Sequence, residues 1–179
     1  MKGVFDSLFA EIKPKTASQE NGEKFEDFIM IHFSRSEDFK VSSPKRYVRG
    51  AVSEDIKKPD FIIEHTPSQM RFYVECKWRA RWEGDEGFEQ INLEEFKPQL
   101  QRHKSMQAES NMKAFLALGI GKLVSIEKGL IPMEIYFIPL NMIFDNFKVL
   151  KKDYLIKYSR EHYVFPHYPR FDPKSVDLK

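Results

Sequence analysis

Residues 57–82, KKPDFIIEHTPSQMRFYVECKWRARW, predict a β-hairpin with a defined register. HTPSQM is a turn signal, and Pro67 suits the second position of a type I turn from Thr66 to Gln69. A turn at this place fixes the cross-strand neighbours. It pairs Ile63 with Phe72, Phe61 with Val74, Glu64 with Arg71 and Asp60 with Glu75.

Side-chain alternation predicts that the two faces of this hairpin differ in chemistry. Asp60, Glu75 and Lys77 share one face, near the open end of the hairpin. The opposite face is apolar and carries Phe61, Ile63, Phe72, Val74 and Cys76. We therefore expect the apolar face to join the core and the charged face to carry the chemistry.

The charged face predicts a site for a divalent metal. Asp60 opposite Glu75 brings two carboxylates to roughly 4.5–5.5 Å at Cβ, which is unfavourable without a cation between them. Mg²⁺ prefers carboxylate oxygens and retained waters, and one or two carboxylates hold it beside a phosphate. Lys77, on the same face, is placed to orient a metal-bound water and to favour its hydroxide form. These groups together predict phosphodiester hydrolysis.

The same residues resemble the PD-(D/E)XK motif of the restriction-endonuclease-like nuclease superfamily, with Pro59 and Asp60 followed after the hairpin by Glu75, Cys76 and Lys77. The resemblance implies an α/β fold in the order helix, three strands, helix, strand, with a central mixed sheet of four to five strands flanked by helices. It implies that Asp60, Glu75 and the carbonyl of Cys76 bind Mg²⁺ or Mn²⁺. It also implies that Lys77 assists the attacking water.

Two helical segments extend this resemblance. GEKFEDF resembles the helix from which many members direct a glutamate to the site. Glu26 lies about 100° from the buried Phe25 whereas Glu23 lies further toward solvent, so Glu26 is preferred. QLQRH resembles a Gln and an Arg followed by an aromatic residue on the second helix of some members, with His103 where Tyr is commoner. The resemblance thus adds Gln99, with Arg102 on the same helix edge.

The remaining segments agree with this element order. Phe25, Phe28, Ile29, His32 and Phe33 recur at helical spacing after a possible N-cap at Asn21. Residues 39–50 suit an irregular or edge strand, and the main part of a second helix is predicted from Pro98 to about Glu109. Residues 113–120 and 133–140 are short apolar runs typical of strands buried on both faces.

Composition places the chain among globular proteins. It has 179 residues, 41% hydrophobic and 31% charged, and no apolar run approaches the roughly 20 residues of a membrane helix. We predict one domain over 1–179, with a core at about 18–140 and a C-terminal extension at 141–179. The N-terminus lacks a signal-peptide core and Cys76 is the only cysteine, so we predict a cytoplasmic protein without disulfides.

The basic residues do not by themselves establish whether the protein binds nucleic acid. A formal charge of +2 does not by itself indicate nucleic acid. KWRARW interleaves Trp78 and Trp82 with Lys77, Arg79 and Arg81, which suits either contact with a nucleic-acid strand or packing under a loop.

The sequence predicts a Mg²⁺-dependent nuclease, with DNA as the preferred substrate in a restriction, repair or resolvase-like role. A non-catalytic nucleic-acid-binding or assembly module with the same fold is the main alternative. A hydrolase of small phosphoesters is a third interpretation, and it predicts scattered basic residues. A homodimer also remains open.

Overall fold

The computed structural model of the protein describes residues 15–43, 58–110, 112–126 and 129–160. Helices α1 (Ala17–Ser34), α2 (Lys97–Ser110) and α3 (Lys152–Leu155) accompany ten strands. The strands are β1 (Phe39–Ser42), β2 (Phe61–His65), β3 (Met70–Arg79), β4 (Gln90–Asn92), β5 (Lys113–Ile120), β6 (Val124–Ile126), β7 (Gly129–Ile131), β8 (Glu134–Pro139), β9 (Val149–Lys151) and β10 (Ser159–Arg160).

A mixed sheet in the order β1-β2-β3-β5-β8-β10 forms the centre of the described structure. β3 and β5 pair in parallel and are connected through α2, whereas the other neighbours are antiparallel. Five of these strands have four residues or more, and β10 adds two residues at the edge. The predicted order of helix, three strands, helix and strand is present, with the short β4 inserted before α2 and paired with β9.

The central hairpin has the predicted register over its ladder. Phe61 pairs with Val74, Ile63 with Phe72 and Glu64 with Arg71. A short 3₁₀ turn covers Thr66–Ser68, and the N–H of Gln69 donates to the Thr66 carbonyl at 3.3 Å. The ladder starts at Phe61, so Asp60 lies just before β2 and is not a ladder partner of Glu75 as the register predicted.

Helix α1 begins earlier than predicted. Thr16, not Asn21, is the N-cap: its hydroxyl accepts from the Gln19 N–H at 3.2 Å, and the Gln19 side chain accepts from the Thr16 N–H at 2.8 Å. This reciprocal capping box satisfies two end groups that an N-cap at Asn21 would leave to another turn. Of the predicted buried face, Phe25, Phe28, Ile29 and Phe33 are confirmed as buried, whereas His32 is half-buried at its border.

Both faces of the sheet are covered, and this corrects the prediction of one apolar and one chemical face. Cys76 packs with Phe25 and Phe115 on the α1 side. Tyr73 packs on the other side with Leu100 of α2 and with residues that follow β8. Those residues are Ile143, Leu150, Leu155 and Tyr158. Strands β5 and β8 are buried on both faces as predicted. Because the second face of the sheet is also covered, Glu75 on β3 lies inside the protein.

Gly119 in β5 sets how closely α1 approaches the sheet. A Cβ at this position would lie 2.9 Å from the ring of Phe25, which is completely buried. Such a contact is too short, so only glycine lets this ring approach the strand so closely. Since Glu26 follows Phe25, this packing also fixes where Glu26 lies.

The C-terminal part of the described chain packs on the same core, and β10 joins the central sheet. The part of residues 39–50 that forms β1 lies at the sheet edge as predicted, while 44–50 lie outside the described residues. No described helix combines the length and apolarity needed to cross a membrane. The assignment of the whole chain to one domain stays a prediction.

We expect His32 to make the stability depend on pH. Burial first, and then Arg35, lower the pKa of His32 from 6.5 to about 4. The unfolded chain binds a proton near pH 6.5 while the folded chain does not, so stability is complete above pH 6.5 and declines toward pH 4. His32→Gln should reduce the loss of unfolding free energy between pH 7 and pH 4 by about 3 kcal/mol, measured by denaturant titration. Equal losses in both proteins would contradict this expectation.

Candidate active site

Asp60 is fixed at the open end of the hairpin by the backbone of β3. β3 continues beyond Val74, where its ladder with β2 ends. There the Asp60 carboxylate takes the role of a strand carbonyl: Oδ2 accepts a hydrogen bond from the Cys76 N–H at 2.7 Å. Asp60 is only 2% exposed. The chain therefore holds a buried carboxylate against the residue that follows Glu75.

Glu75 is a second buried carboxylate, 1% exposed, on β3. Its Oε1 accepts hydrogen bonds from Lys77 Nζ at 2.5 Å and from Gln99 Nε2. Its Oε2 lies 3.6 Å from His103 Nδ1. A buried carboxylate is costly unless polar groups surround it, and these three side chains supply them.

Helix α2 brings two side chains to Glu75. Gln99 and His103 are four residues apart and lie on one side of the helix, one turn from each other. From the sequence, Gln99 is a predicted site residue with Arg102 on the same helix edge, whereas His103 is only a departure from the motif. In the structure, His103 faces Glu75 and is 1% exposed. The i, i+4 spacing from Gln99 could have predicted from the sequence that His103 lies on the same side of α2 as Gln99.

Glu26 of α1 lies in the same electrostatic neighbourhood. The thiol of Cys76 has its pKa raised, first by burial and then by the nearby carboxylates of Asp60, Glu26 and Glu75, with Lys77 acting in the opposite sense. Carboxylates from α1, from the residue before β2 and from β3 therefore all act on one point. The same pKa shift keeps the Cys76 thiol neutral, which agrees with its predicted place in the core.

Glu23, the other candidate on α1, has a different environment. Its carboxylate forms an ion pair with Lys15 Nζ at 2.6 Å near the start of the helix. Both groups are at least one-third exposed, so the pair belongs to the surface. This contrast supports the preference for Glu26 over Glu23 as the residue near the site.

The two tryptophans of KWRARW pack against the protein. Trp78 is 9% exposed, and its indole N–H donates to the Gly121 carbonyl at 3.1 Å. Trp82 meets the ring of Tyr136 edge-on at 5.7 Å and donates to Glu134 at 3.0 Å. The sequence left two interpretations of this segment, contact with a nucleic-acid strand or packing under a loop. Both tryptophans pack within the protein.

The two arginines of the same segment differ. Arg79 Nη2 donates to Glu95 Oε2 at 2.6 Å, and its guanidinium lies 5.2 Å from the centre of the Phe96 ring. Arg81 follows the end of β3 and is exposed. Arg79 is thus engaged within the fold, while Arg81 presents its charge to solvent.

The donor set suits a metal that keeps water ligands. Within residues 15–43, 58–110, 112–126 and 129–160, no three His, Cys, Asp or Glu side chains are arranged to hold a metal ion. Mg²⁺ does not need such a cage, because it binds through one or two carboxylates, waters and substrate phosphates. Asp60 and Glu75, both buried and joined through the Cys76 backbone, fit this type of binding.

Neither a protein-family model nor a curated protein matches this sequence. Among solved structures, the chain is similar to Hjc of Archaeoglobus fulgidus, a Holliday junction resolvase from an archaeal hyperthermophile. The TM-score is 0.50 at 15% sequence identity, over 75% of this chain and 91% of that chain. A likeness at this identity shows the fold, and it confirms the predicted restriction-endonuclease-like α/β architecture.

Proposed function

We propose that this chain is a divalent-metal-dependent nuclease of the PD-(D/E)XK type that hydrolyses phosphodiester bonds in DNA. The observation that carries the proposal is the pair of buried carboxylates, Asp60 and Glu75. Asp60, just before β2, accepts a hydrogen bond from the N–H of the residue that follows Glu75 on β3, and Lys77 donates to Glu75. Burying two carboxylates costs stability, and such costly groupings of charge are concentrated at functional sites. DNA is the proposed substrate because the structural neighbour is a Holliday junction resolvase.

The proposed roles follow from the contacts of each side chain. Asp60 and Glu75 would hold Mg²⁺ or Mn²⁺ together with the Cys76 carbonyl, and Glu26 would add negative charge nearby. The bound ion supplies positive charge for the scissile phosphate and acidifies a bound water. The ammonium of Lys77 contacts Glu75 and the side chain is 20% exposed, so it would also be accessible to a water at the site. Gln99 keeps the Glu75 carboxylate in place through Oε1.

A cleavage assay tests this proposal. Purified protein is incubated with plasmid, linear duplex, single-stranded and four-way branched DNA, and with a chromogenic phosphodiester, in Mg²⁺, Mn²⁺ or EDTA. We expect DNA products with either metal and none with EDTA. DNA binding without cleavage in any metal would favour the non-catalytic module. Hydrolysis of the small phosphodiester alone would favour the small-phosphoester hydrolase.

We expect Arg81 to contribute to DNA affinity through its charge. Neutralising a phosphate releases counterions, so removing one phosphate contact lowers the slope of log affinity against log salt by about 1. Arg81→Gln should produce this change in fluorescence anisotropy titrations with labelled duplex at several salt concentrations. Arg79→Gln is the matched comparison and should change the slope less, because Arg79 already pairs with Glu95. An unchanged slope for Arg81→Gln would place the DNA interface elsewhere.

A further inference from the structure

Glu75 is approached by helix α2 at both of its carboxylate oxygens. Gln99 Nε2 donates to Oε1, and His103 Nδ1 lies 3.6 Å from Oε2. Lys77 also acts on Oε1. Lys77 and Gln99 therefore fix the position of Oε1. His103, which faces Oε2, then sets the rotation of the carboxylate plane about the Cγ–Cδ bond of Glu75.

The contact between His103 and Glu75 Oε2 is buried, which strengthens the interaction between the two groups. His103 and Glu75 are each 1% exposed, so water does not screen the interaction. At 3.6 Å the contact is longer than a hydrogen bond, and it is an electrostatic attraction when Nδ1 carries a proton. Such attractions are stronger in the low-dielectric interior than at the surface. In resting sites, polar contacts of this length commonly shorten when ligand binds.

We infer that His103 is a positioning residue for the metal site. It turns the Glu75 carboxylate so that its lone pairs point in one direction toward a cation held with Asp60. This inference rests on the proposed nuclease function and extends it to a residue that does not itself bind metal. Partners that orient a metal ligand typically change metal affinity or activity by about 10- to 100-fold when they are removed.

Two substitutions separate positioning from simple packing. His103→Phe keeps a ring of similar volume and removes the polar nitrogen, whereas His103→Asn loses volume but keeps an N–H close to the place of Nδ1. A residue that only fills space tolerates Phe better than Asn. A residue that orients Glu75 tolerates Asn better than Phe. The two explanations therefore predict opposite orders for the same pair of variants.

The test measures Mn²⁺ binding by electron paramagnetic resonance of the free ion, and DNA cleavage as a function of Mg²⁺. We expect His103→Phe to raise the Mn²⁺ dissociation constant and the half-saturating Mg²⁺ concentration by about 10- to 100-fold. Its cleavage rate at saturating metal should change less. His103→Asn should remain near the wild type in both measurements. Thermal melts in EDTA establish that each variant is folded.

Each other outcome is decisive. If His103→Phe binds Mn²⁺ like the wild type while His103→Asn binds poorly, the inference is overturned and the nuclease proposal stands. If only His103→Phe fails to fold while His103→Asn keeps wild-type Mn²⁺ affinity, the polar contact is what the site requires and the inference holds. Unfolding of both variants overturns it. A wild type that neither binds Mn²⁺ nor cleaves DNA overturns the proposed function and this inference together.

Discussion

Asp60→Asn should abolish metal-dependent cleavage while leaving the fold intact. Metal ions stabilise the transition state by several kcal/mol and each 1.4 kcal/mol is a factor of ten, so we expect a loss of at least about 1,000-fold. The asparagine side-chain oxygen can still accept the hydrogen bond from the Cys76 N–H. The loss therefore reports the missing charge on the metal side of the carboxylate.

The same substitution should change stability in a characteristic way. Without metal, the melting temperature should hold or rise, because Asp60 no longer adds a second buried negative charge beside Glu75. Added Mg²⁺ should then stabilise the variant less than the wild type, since a ligand stabilises only the state that binds it. Thermal melts with and without Mg²⁺, alongside cleavage rates, measure both effects.

Glu64→Gln is the matched control for Asp60→Asn. It removes a carboxylate from the same hairpin, where Glu64 forms a surface pair with Lys40 at 3.8 Å. Exposed pairs of this kind contribute little, so cleavage and the response to Mg²⁺ should be those of the wild type. Full cleavage by Asp60→Asn, or a wild type whose melting ignores millimolar Mg²⁺ and Mn²⁺ even with DNA, would favour the non-catalytic module instead.

Lys77→Met should also eliminate most cleavage, but for a different reason. Groups that assist proton transfer to or from a reacting water contribute about 10²- to 10⁴-fold, and we expect a loss of this size. Metal binding should persist, because lysine is not a ligand. Methionine keeps most of the length of the side chain and removes its charge.

Removing Lys77 should lower the stability of the metal-free protein and increase the stabilisation that added Mg²⁺ provides. Lys77 Nζ is 2.5 Å from Glu75 Oε1, so the variant leaves a buried carboxylate without its cation and should lose about 2 kcal/mol in EDTA. Mg²⁺ restores positive charge beside Glu75, and its stabilising effect should exceed that in the wild type.

The control for Lys77→Met is Lys40→Met, which removes an exposed lysine from β1 and should change neither measurement. A Lys77→Met protein with wild-type cleavage would remove Lys77 from the proposed site. Loss of Mg²⁺ stabilisation in this variant would instead indicate that the lysine is needed to build the metal site. Comparing the Asp60 and Lys77 variants thus separates metal binding from the hydrolytic step.

Local sequence determined much of the fold. The turn at Thr66 to Gln69 defines the hairpin because backbone pairing follows from the place of the turn, and the ladder from Phe61 to His65 has the predicted partners. The helical spacing of Phe25, Phe28, Ile29 and Phe33 identified the buried face of α1. Short apolar runs identified β5 and β8 as strands buried on both faces. Each of these signals arises from neighbours in the chain.

Only the tertiary structure decided how the site residues meet. Alternation along the hairpin placed Glu75 on a charged face, but α2 and the segment after β8 cover that face and bury its carboxylate. Asp60 leaves the ladder and binds the Cys76 N–H, because β3 continues past the end of β2 and offers a backbone donor there. His103 reaches Glu75 because the crossover through α2 lays this helix over β3. Contacts between residues 16 to 28 positions apart depend on the packing of whole elements, which no local pattern specifies.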